Sequence, residues 1–256
     1  MFSSKKRLKQ IIFSQLLIIL LSVGLACAAA PEKAGILLYG DSLTWGFVPL
    51  ENPSPPQRFP YEIRWPGVLQ NQLGADFVVI EEGLNGRNAG VDDFSAAKSL
   101  DSSIQNDLNL NGRPTLLPII RSHEPLALVL IMLGTNDIRP YNQQNLDSIK
   151  ASVTHLIRIV KLGATRGVEP KILLVAPPPV TEGKSERMNS LFGGGYELAR
   201  QLAPAYQAIA QSEKVEFFDA ASIIPVADGI DGIHFTPEAN ARLGQALAAR
   251  IKQILP

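Results

Sequence analysis

Five short runs of this chain are apolar at nearly every position, and longer stretches with helical spacing separate them. A strand that is apolar on both faces has to be covered on both sides, which is typical of a parallel sheet between two layers of helices. The pattern therefore predicts an α/β fold. The predicted strands are Gly35–Tyr39, Phe77–Ile80, Leu126–Leu133, Lys171–Val175 and Val215–Phe218. The clearest predicted helices are 65–73, 145–161, 195–211 and 237–254.

Five strands joined by helical crossovers predict one doubly wound domain, a flavodoxin-like three-layer αβα sandwich with a five-stranded parallel sheet. In such folds a ligand lies beyond the carboxyl ends of the strands. We therefore expect the functional residues just after the first, second, third and fifth strands. In the polar stretch 91–113 the apolar residues show no regular spacing. We expect this stretch to be a long excursion that carries a short helix.

The first thirty residues do not belong to this pattern. Four basic residues between positions 5 and 9 precede the apolar run Leu16–Ala26, and small residues follow. This layout is typical of a secretory signal peptide, which we place at residues 1–28, with the folded domain at 33–256. The chain is then expected to be exported, to the periplasm or to the medium. Lipoprotein anchoring at Cys27 and a retained membrane anchor are the alternatives, and the mature chain has no other predicted span.

Removal of the leader makes the protein mildly acidic. The whole chain has 24 basic and 24 acidic residues, and residues 1–30 hold four of the basic ones and no acidic one. The remainder therefore has a net charge of −4, with no basic cluster, and we expect no nucleic-acid partner. Cys27 is the only cysteine, so thiol chemistry in the mature domain is excluded. The sequence leaves a homo-oligomer open.

Three polar blocks follow predicted strands. Gly40-Asp41-Ser42-Leu43 comes directly after the first strand, and Gly134-Thr135-Asn136-Asp137 comes after the third. Asp231-Gly232-Ile233-His234 precedes Thr236 and Pro237, which fit the N-cap and the first position of the last helix. Each block alone is compatible with a turn or a helix cap. Their common position at one edge of the sheet indicates a single site.

Together the blocks resemble those of the SGNH (GDSL-type) hydrolase family over nearly the whole mature chain. The stretch Glu81-Glu82-Gly83-Leu84-Asn85-Gly86-Arg87 fits the family's glycine block, although Glu81 stands where the family usually has asparagine. The closest resemblance is to the arylesterase/acyltransferase branch. It implies the SGNH hydrolase fold and hydrolysis of short-acyl carboxylic esters of small molecules, with acyl transfer to alcohols in some members.

The resemblance also implies the roles of individual residues. Ser42 is the expected nucleophile, His234 the base and Asp231 the acid of a catalytic triad. The backbone N–H groups of Ser42 and Gly86 and the side chain of Asn136 are the expected oxyanion donors, with Gly83 as the rival of Gly86. Trp45 and Phe192 are candidates for substrate binding.

Other candidates are weaker. His123 is expected at the opposite edge of the sheet, and His155 lies in mid-helix. Asp219 and Asp228 are alternatives for the triad acid, but the three-residue spacing to His234 favours Asp231. The chain has no G-x-S-x-G or H-E-x-x-H motif, so we expect neither an α/β-hydrolase nor a metal site, and no cofactor.

Three functions are therefore compared. The leading one is a short-acyl esterase of the arylesterase type. The second is an O-acetyl esterase that acts on acetylated carbohydrate or a cell-envelope polysaccharide. The third, a non-catalytic envelope binding module, is disfavoured because such a module has no need of Ser42, Asn136, Asp231 and His234 together. The natural substrate and the acyl-length preference do not follow from the sequence.

Overall fold

The computed structural model describes residues 35–52, 54–95, 108–163 and 169–256, which lie in the compact unit Ala34–Pro256. Its centre is a sheet of five parallel strands in the order β2-β1-β3-β4-β5. The strands are β1 (Gly35–Gly40), β2 (Val78–Gly83), β3 (Leu126–Met132), β4 (Lys171–Ala176) and β5 (Glu216–Asp219). All five predicted strands are present, with no end shifted by more than three residues.

Helices connect the strands. They are α1 (Ser42–Trp45), α2 (Trp65–Leu73), α3 (Gly112–His123), α4 (Leu146–Gly163), α5 (Glu186–Phe192), α6 (Tyr196–Arg200), α7 (Leu202–Glu213) and α8 (Pro237–Ile254). Two short 3₁₀ turns, Pro140–Asn142 and Ala220–Ser222, follow β3 and β5.

The predicted helix 195–211 is divided at Gln201 into α6 and α7. Pro204 explains the break. Proline has no N–H to donate to the carbonyl four residues earlier, here that of Arg200, and its ring clashes with that carbonyl. The prediction of one continuous helix was therefore wrong, because it counted apolar spacing without the effect of this proline.

Apolar side chains fill the space on both faces of the sheet. Leu37 and Tyr39 of β1 point into one buried cluster with α3, α4 and α7, and the alternating Ile36 and Leu38 point into another with α2 and α8. Each buried leucine or isoleucine contributes about 1.5–3 kcal/mol relative to an exposed one. The predicted three-layer αβα sandwich with a doubly wound parallel sheet is confirmed.

Some predictions fall on residues that the structure does not describe. The signal peptide at 1–28, with Cys27, lies outside the described ranges, and so do residues 96–107 of the excursion at 91–113. The end of that excursion is described, and there Asn111 accepts a hydrogen bond from Arg113 N–H and caps α3. Within the described ranges, none of the helices has the length and apolar character needed to span a bilayer.

Candidate active site

Ser42 begins a one-turn helix immediately beyond β1. The carboxylate of Asp41 caps this helix by accepting a hydrogen bond of 2.9 Å from Leu43 N–H. Asp41 is fully buried, and burial raises its pKa to about 7. The cap fixes the start of α1, so the Ser42 side chain lies at the carboxyl edge of the sheet, where the sequence predicted it.

The two candidate glycines of the second block have different surroundings. A Cβ on Gly83 would lie 2.3 Å from Trp45 N, so Gly83 allows β2 and α1 to approach closely. Gly86 lies in a turn closed by a 3.0 Å bond from Arg87 N–H to Leu84 O, and its φ of 83° favours glycine. Gly86 lines the same cavity as Ser42. The geometry therefore favours Gly86 over Gly83 as an oxyanion donor.

The backbone N–H groups of Ser42 and Gly86 share a property that suits this role. Within the described ranges, neither of them donates a hydrogen bond to another protein group. A buried or half-buried N–H without a protein acceptor is uncommon, and at a cavity wall it is available to a ligand oxygen. Two residues from separate segments, the first residue of α1 and the turn after β2, thus bring unpaired N–H groups to the wall of one cavity.

The last block places His234 against Ser42, across 192 positions of sequence. His234 Nε2 lies 2.9 Å from Ser42 Oγ, and His234 Nδ1 lies 2.6 Å from Asp231 Oδ2. A carboxylate only accepts hydrogen bonds, so Nδ1 carries the proton and Nε2 is left free to accept the serine proton. The three side chains are nearly inaccessible to solvent.

The other oxygen of Asp231 organises its own loop. Asp231 Oδ1 accepts hydrogen bonds from the backbone N–H groups of Ile233 (3.0 Å) and His234 (2.9 Å). Burial alone would raise the pKa of Asp231, but the hydrogen bonds and the electrostatic interaction with His234 outweigh it, and the pKa is lowered. Asp231 is therefore ionised at neutral pH.

Neighbouring segments hold the loop that carries Asp231 and His234. Thr236 caps α8 by accepting a bond of 3.2 Å from Ala239 N–H, as predicted. Asp228, one of the rival acids, instead accepts bonds from the Thr236 N–H and hydroxyl. On the other side, Thr181 N–H donates to Gly232 O at 2.9 Å. The position of the imidazole thus depends on a helix cap and on the loop after β4.

Asn136 lies beneath Ser42, with both hydrogens of its amide engaged. Its Nδ2 donates to Arg87 O at 2.9 Å and to Asp41 Oδ2 at 3.2 Å. Asn136 lines the cavity that contains Ser42. To donate to a ligand oxygen, Asn136 Nδ2 has to share the hydrogen that it now donates to Asp41, in the longer of the two bonds.

Sequence reasoning missed Arg139, which joins the turn that carries Gly86 to the loop that carries Asn136. Its side chain is almost fully buried, its Nε donates to Asn136 O and its Nη2 to Gly86 O, each at 3.0 Å. The carboxylate of Asp93 lies 3.6 Å from Nη2. The contact with Asn136 is local, but the contact with Gly86 spans 53 positions of sequence, and no sequence pattern indicates it.

A cavity of about 680 Å³ opens in front of Ser42. Its wall contains Phe192 but not Trp45, the other candidate for substrate binding, which packs against Phe47 and under the guanidinium of Arg58. Phe47 stacks on the His234 ring, with 4.1 Å between the ring centroids. The residues that line the cavity are Ser42, Phe47, Pro56, Asn85, Gly86, Ser95, Leu110, Asn136, Arg139, Tyr141, Arg187, Met188, Leu191, Phe192 and His234.

The remaining candidates lie elsewhere. His123 ends α3 with its Nε2 3.4 Å from Glu82, and His155 is exposed on α4. Asp219 caps the 3₁₀ turn after β5 by accepting a bond from Ala221 N–H. Across the described part of the chain, no three His, Cys, Asp or Glu side chains are grouped so as to hold a metal ion.

The arrangement is typical of a nucleophilic hydroxyl activated by an imidazole–carboxylate pair. Comparison with known proteins agrees with it. The model of the GDSL-like lipase/acylhydrolase family matches residues 38–242. The search of curated proteins gave no match.

Several solved structures are similar to this chain. The aryl esterase of M. smegmatis is 42% identical, with a TM-score of 0.78, and the alignment covers 86% of this chain and 99% of that one. Est24, a carbohydrate acetylesterase from Sinorhizobium meliloti, is 41% identical with the same TM-score, over 87% of this chain and 100% of that one. On the family model and these relatives, the chain belongs to the GDSL-like lipase/acylhydrolase family.

Proposed function

We propose that this protein is a serine esterase that hydrolyses short-acyl carboxylic esters and transfers the acyl group to alcohols when they compete with water. The observation that carries the proposal is the hydrogen-bonded series Ser42–His234–Asp231, with contacts of 2.9 and 2.6 Å. A serine hydroxyl is a weak nucleophile at neutral pH, and this series supplies the base it needs. Membership of an acylhydrolase family agrees with this chemistry.

In the proposed mechanism, Ser42 Oγ attacks the ester carbonyl carbon while His234 Nε2 takes its proton. The ionised Asp231 stabilises the imidazolium that forms. The negative charge on the former carbonyl oxygen is stabilised by the N–H groups of Ser42 and Gly86 and by the Asn136 amide. His234 then donates its proton to the leaving alcohol, and water, or a second alcohol, releases the acyl group from Ser42.

The similarity to an aryl esterase and a carbohydrate acetylesterase supports a short acyl group. We expect kcat/KM of the purified protein for 4-nitrophenyl esters to fall by about tenfold or more from acetate to octanoate, because a site selective for a short acyl group binds the longer chain in a less productive position. Measurement of acid and ester products with added benzyl alcohol separates hydrolysis from acyl transfer. Faster cleavage of octanoate would contradict the proposed acyl preference.

The second candidate function is an O-acetyl esterase for carbohydrates. It is favoured by the 41% identity to a carbohydrate acetylesterase over nearly the whole length of that protein. Acetate release from acetylated xylan, compared with 4-nitrophenyl acetate at equal acetyl concentration, distinguishes the two. A higher kcat/KM for the polysaccharide would make carbohydrate the preferred substrate class.

Asn136 gives a specific test of the oxyanion assignment. Asn136→Ala is expected to lower kcat for 4-nitrophenyl acetate by about 10²–10³-fold, because one donor to the developing charge is lost. Circular dichroism and thermal unfolding of the variant check the fold, since Arg87 O also loses a partner. Asn71→Ala, at an exposed position of α2, is the control and should keep the wild-type kcat. A loss of less than threefold in the Asn136 variant would remove this residue from the mechanism.

A further inference from the structure

The wall of the cavity in front of Ser42 carries an unusual distribution of charge. Among the described residues that line it are two arginines, Arg139 and Arg187, and no aspartate or glutamate. The chain after residue 30 has an excess of four acidic residues. The described lining thus contains cationic groups and no carboxylate, which favours an anionic ligand over a cationic one at this place.

Only one of the two cations is available to a ligand. Arg139 is almost fully buried. Its guanidinium donates to the carbonyls of Asn136 and Gly86 and lies close to the carboxylate of Asp93. Arg187 is exposed, and among the described residues it has no hydrogen bond, ion pair or aromatic partner. A free guanidinium at a cavity wall presents up to five N–H donors to whatever enters.

The helix that carries Arg187 is firmly held. Ser185 caps α5 through Met188 N–H, and the Met188 and Phe192 side chains are buried. The amide of Asn189 makes two bonds to the backbone of Gly183, at 3.0 and 2.8 Å. These contacts fix the orientation of α5, so the Cα of Arg187 has a defined position at the cavity rather than on a free loop.

We propose that Arg187 makes this enzyme selective for short-acyl esters whose alcohol part carries a carboxylate, such as the acetyl ester of an acidic sugar or of a hydroxy acid. The inference rests on the proposed esterase function. A guanidinium binds a carboxylate through two parallel N–H···O bonds, a geometry that lysine does not reproduce. A short acyl group such as acetyl has no ionisable group. The carboxylate therefore belongs to the alcohol part of the ester.

The experiment compares an anionic and a neutral aryl acetate of similar size, and release of the phenol is followed for both, so that cleavage of the methyl ester group is not counted. These are 3-(4-acetoxyphenyl)propanoate and its methyl ester, in which two methylenes insulate the leaving phenol from the carboxylate. The measured quantity is the ratio of kcat/KM for the anionic ester to kcat/KM for the methyl ester. We expect Arg187→Gln to lower this ratio by about fivefold, the upper range for a solvent-exposed ion pair.

Further variants show whether charge is the cause. Arg187→Glu should lower the ratio beyond Arg187→Gln, and Arg187→Lys should lie between wild type and Arg187→Gln. Added salt should reduce the wild-type ratio more than that of Arg187→Gln, because an exposed pair is screened. Arg121→Gln, which removes an exposed arginine of α3 outside the cavity wall, should leave the ratio unchanged.

The experiment distinguishes failure of the Arg187 inference from failure of the esterase function. If the wild-type protein cleaves the methyl ester but Arg187→Glu has the wild-type ratio, Arg187 does not recognise an anion and this inference is overturned. If the wild-type protein cleaves neither ester and no 4-nitrophenyl ester, the esterase function itself fails, and the inference fails with it.

Discussion

Ser42→Ala is expected to lower kcat for 4-nitrophenyl acetate by about 10⁴-fold or more, with little change in thermal stability. Among the described residues, the Ser42 hydroxyl makes a single side-chain hydrogen bond, to His234 Nε2. Its removal deletes the nucleophile, and the imidazole nitrogen left behind faces the cavity, where water can replace the lost partner. The effect on turnover is therefore large, whereas the effect on the free energy of unfolding is small.

A covalent probe separates loss of the nucleophile from loss of the site. A fluorophosphonate should add once to the wild-type protein, on the peptide that contains Ser42, and should not add to Ser42→Ala. Ser122→Ala, at an exposed position near the end of α3, is the matched control and should keep full activity and labelling. Labelling at another serine, or more than a tenth of the wild-type kcat in Ser42→Ala, would assign the nucleophile elsewhere.

Asp231→Asn is expected to lower kcat on the order of 10⁴-fold while the fold is retained. The reason lies in the different partners of the two carboxylate oxygens. Oδ1 accepts the N–H groups of Ile233 and His234, so in the variant the amide oxygen has to stay on that side. The NH₂ group then faces His234 Nδ1, which becomes an acceptor, and the ring proton moves to Nε2. In this tautomer the imidazole cannot take the serine proton.

Asp219→Asn is the control for this variant. Asp219 caps the 3₁₀ turn after β5, and asparagine is as good a cap as aspartate. We expect its kcat within about twofold of wild type, the ordinary scatter of surface substitutions. If Asp231→Asn kept more than a tenth of the activity, the tautomer argument would be wrong. If Asp219→Asn lost as much as Asp231→Asn, the acid would have been assigned to the wrong residue.

The fold could be predicted from the sequence because the same pattern, an apolar strand followed by a helix, occurs several times along the chain. Five strands that are apolar on both faces allow few arrangements, and short crossovers reduce them further. The errors concern two helices and have local causes. Pro204 divides a helix whose apolar spacing is otherwise continuous, and α5 was not predicted, since it has only seven residues and is bounded by glycines that suggested a loop.

The site was predictable to the extent that its residues lie in local blocks. The blocks that contain Ser42, Asn136 and His234 each follow a strand. Because the strands are parallel, the three residues meet at the carboxyl edge of the sheet. Side-chain direction was not predictable in the same way. Trp45 and Phe47 are two residues apart, and only Phe47 faces His234. Arg139 contacts Gly86 across 53 positions of sequence, so nothing near Arg139 in the chain indicates that contact.

The guanidinium of Arg139 has a consequence for redesign and for divergence within the family. It bridges the carbonyls of Gly86 and Asn136, so the turn after β2 and the loop after β3 behave as one mechanical unit although they are separate in the chain. Grafting either segment from a relative without the other would leave this cation buried beside a displaced carbonyl. Transplants intended to reshape the cavity should therefore exchange both segments together with the arginine.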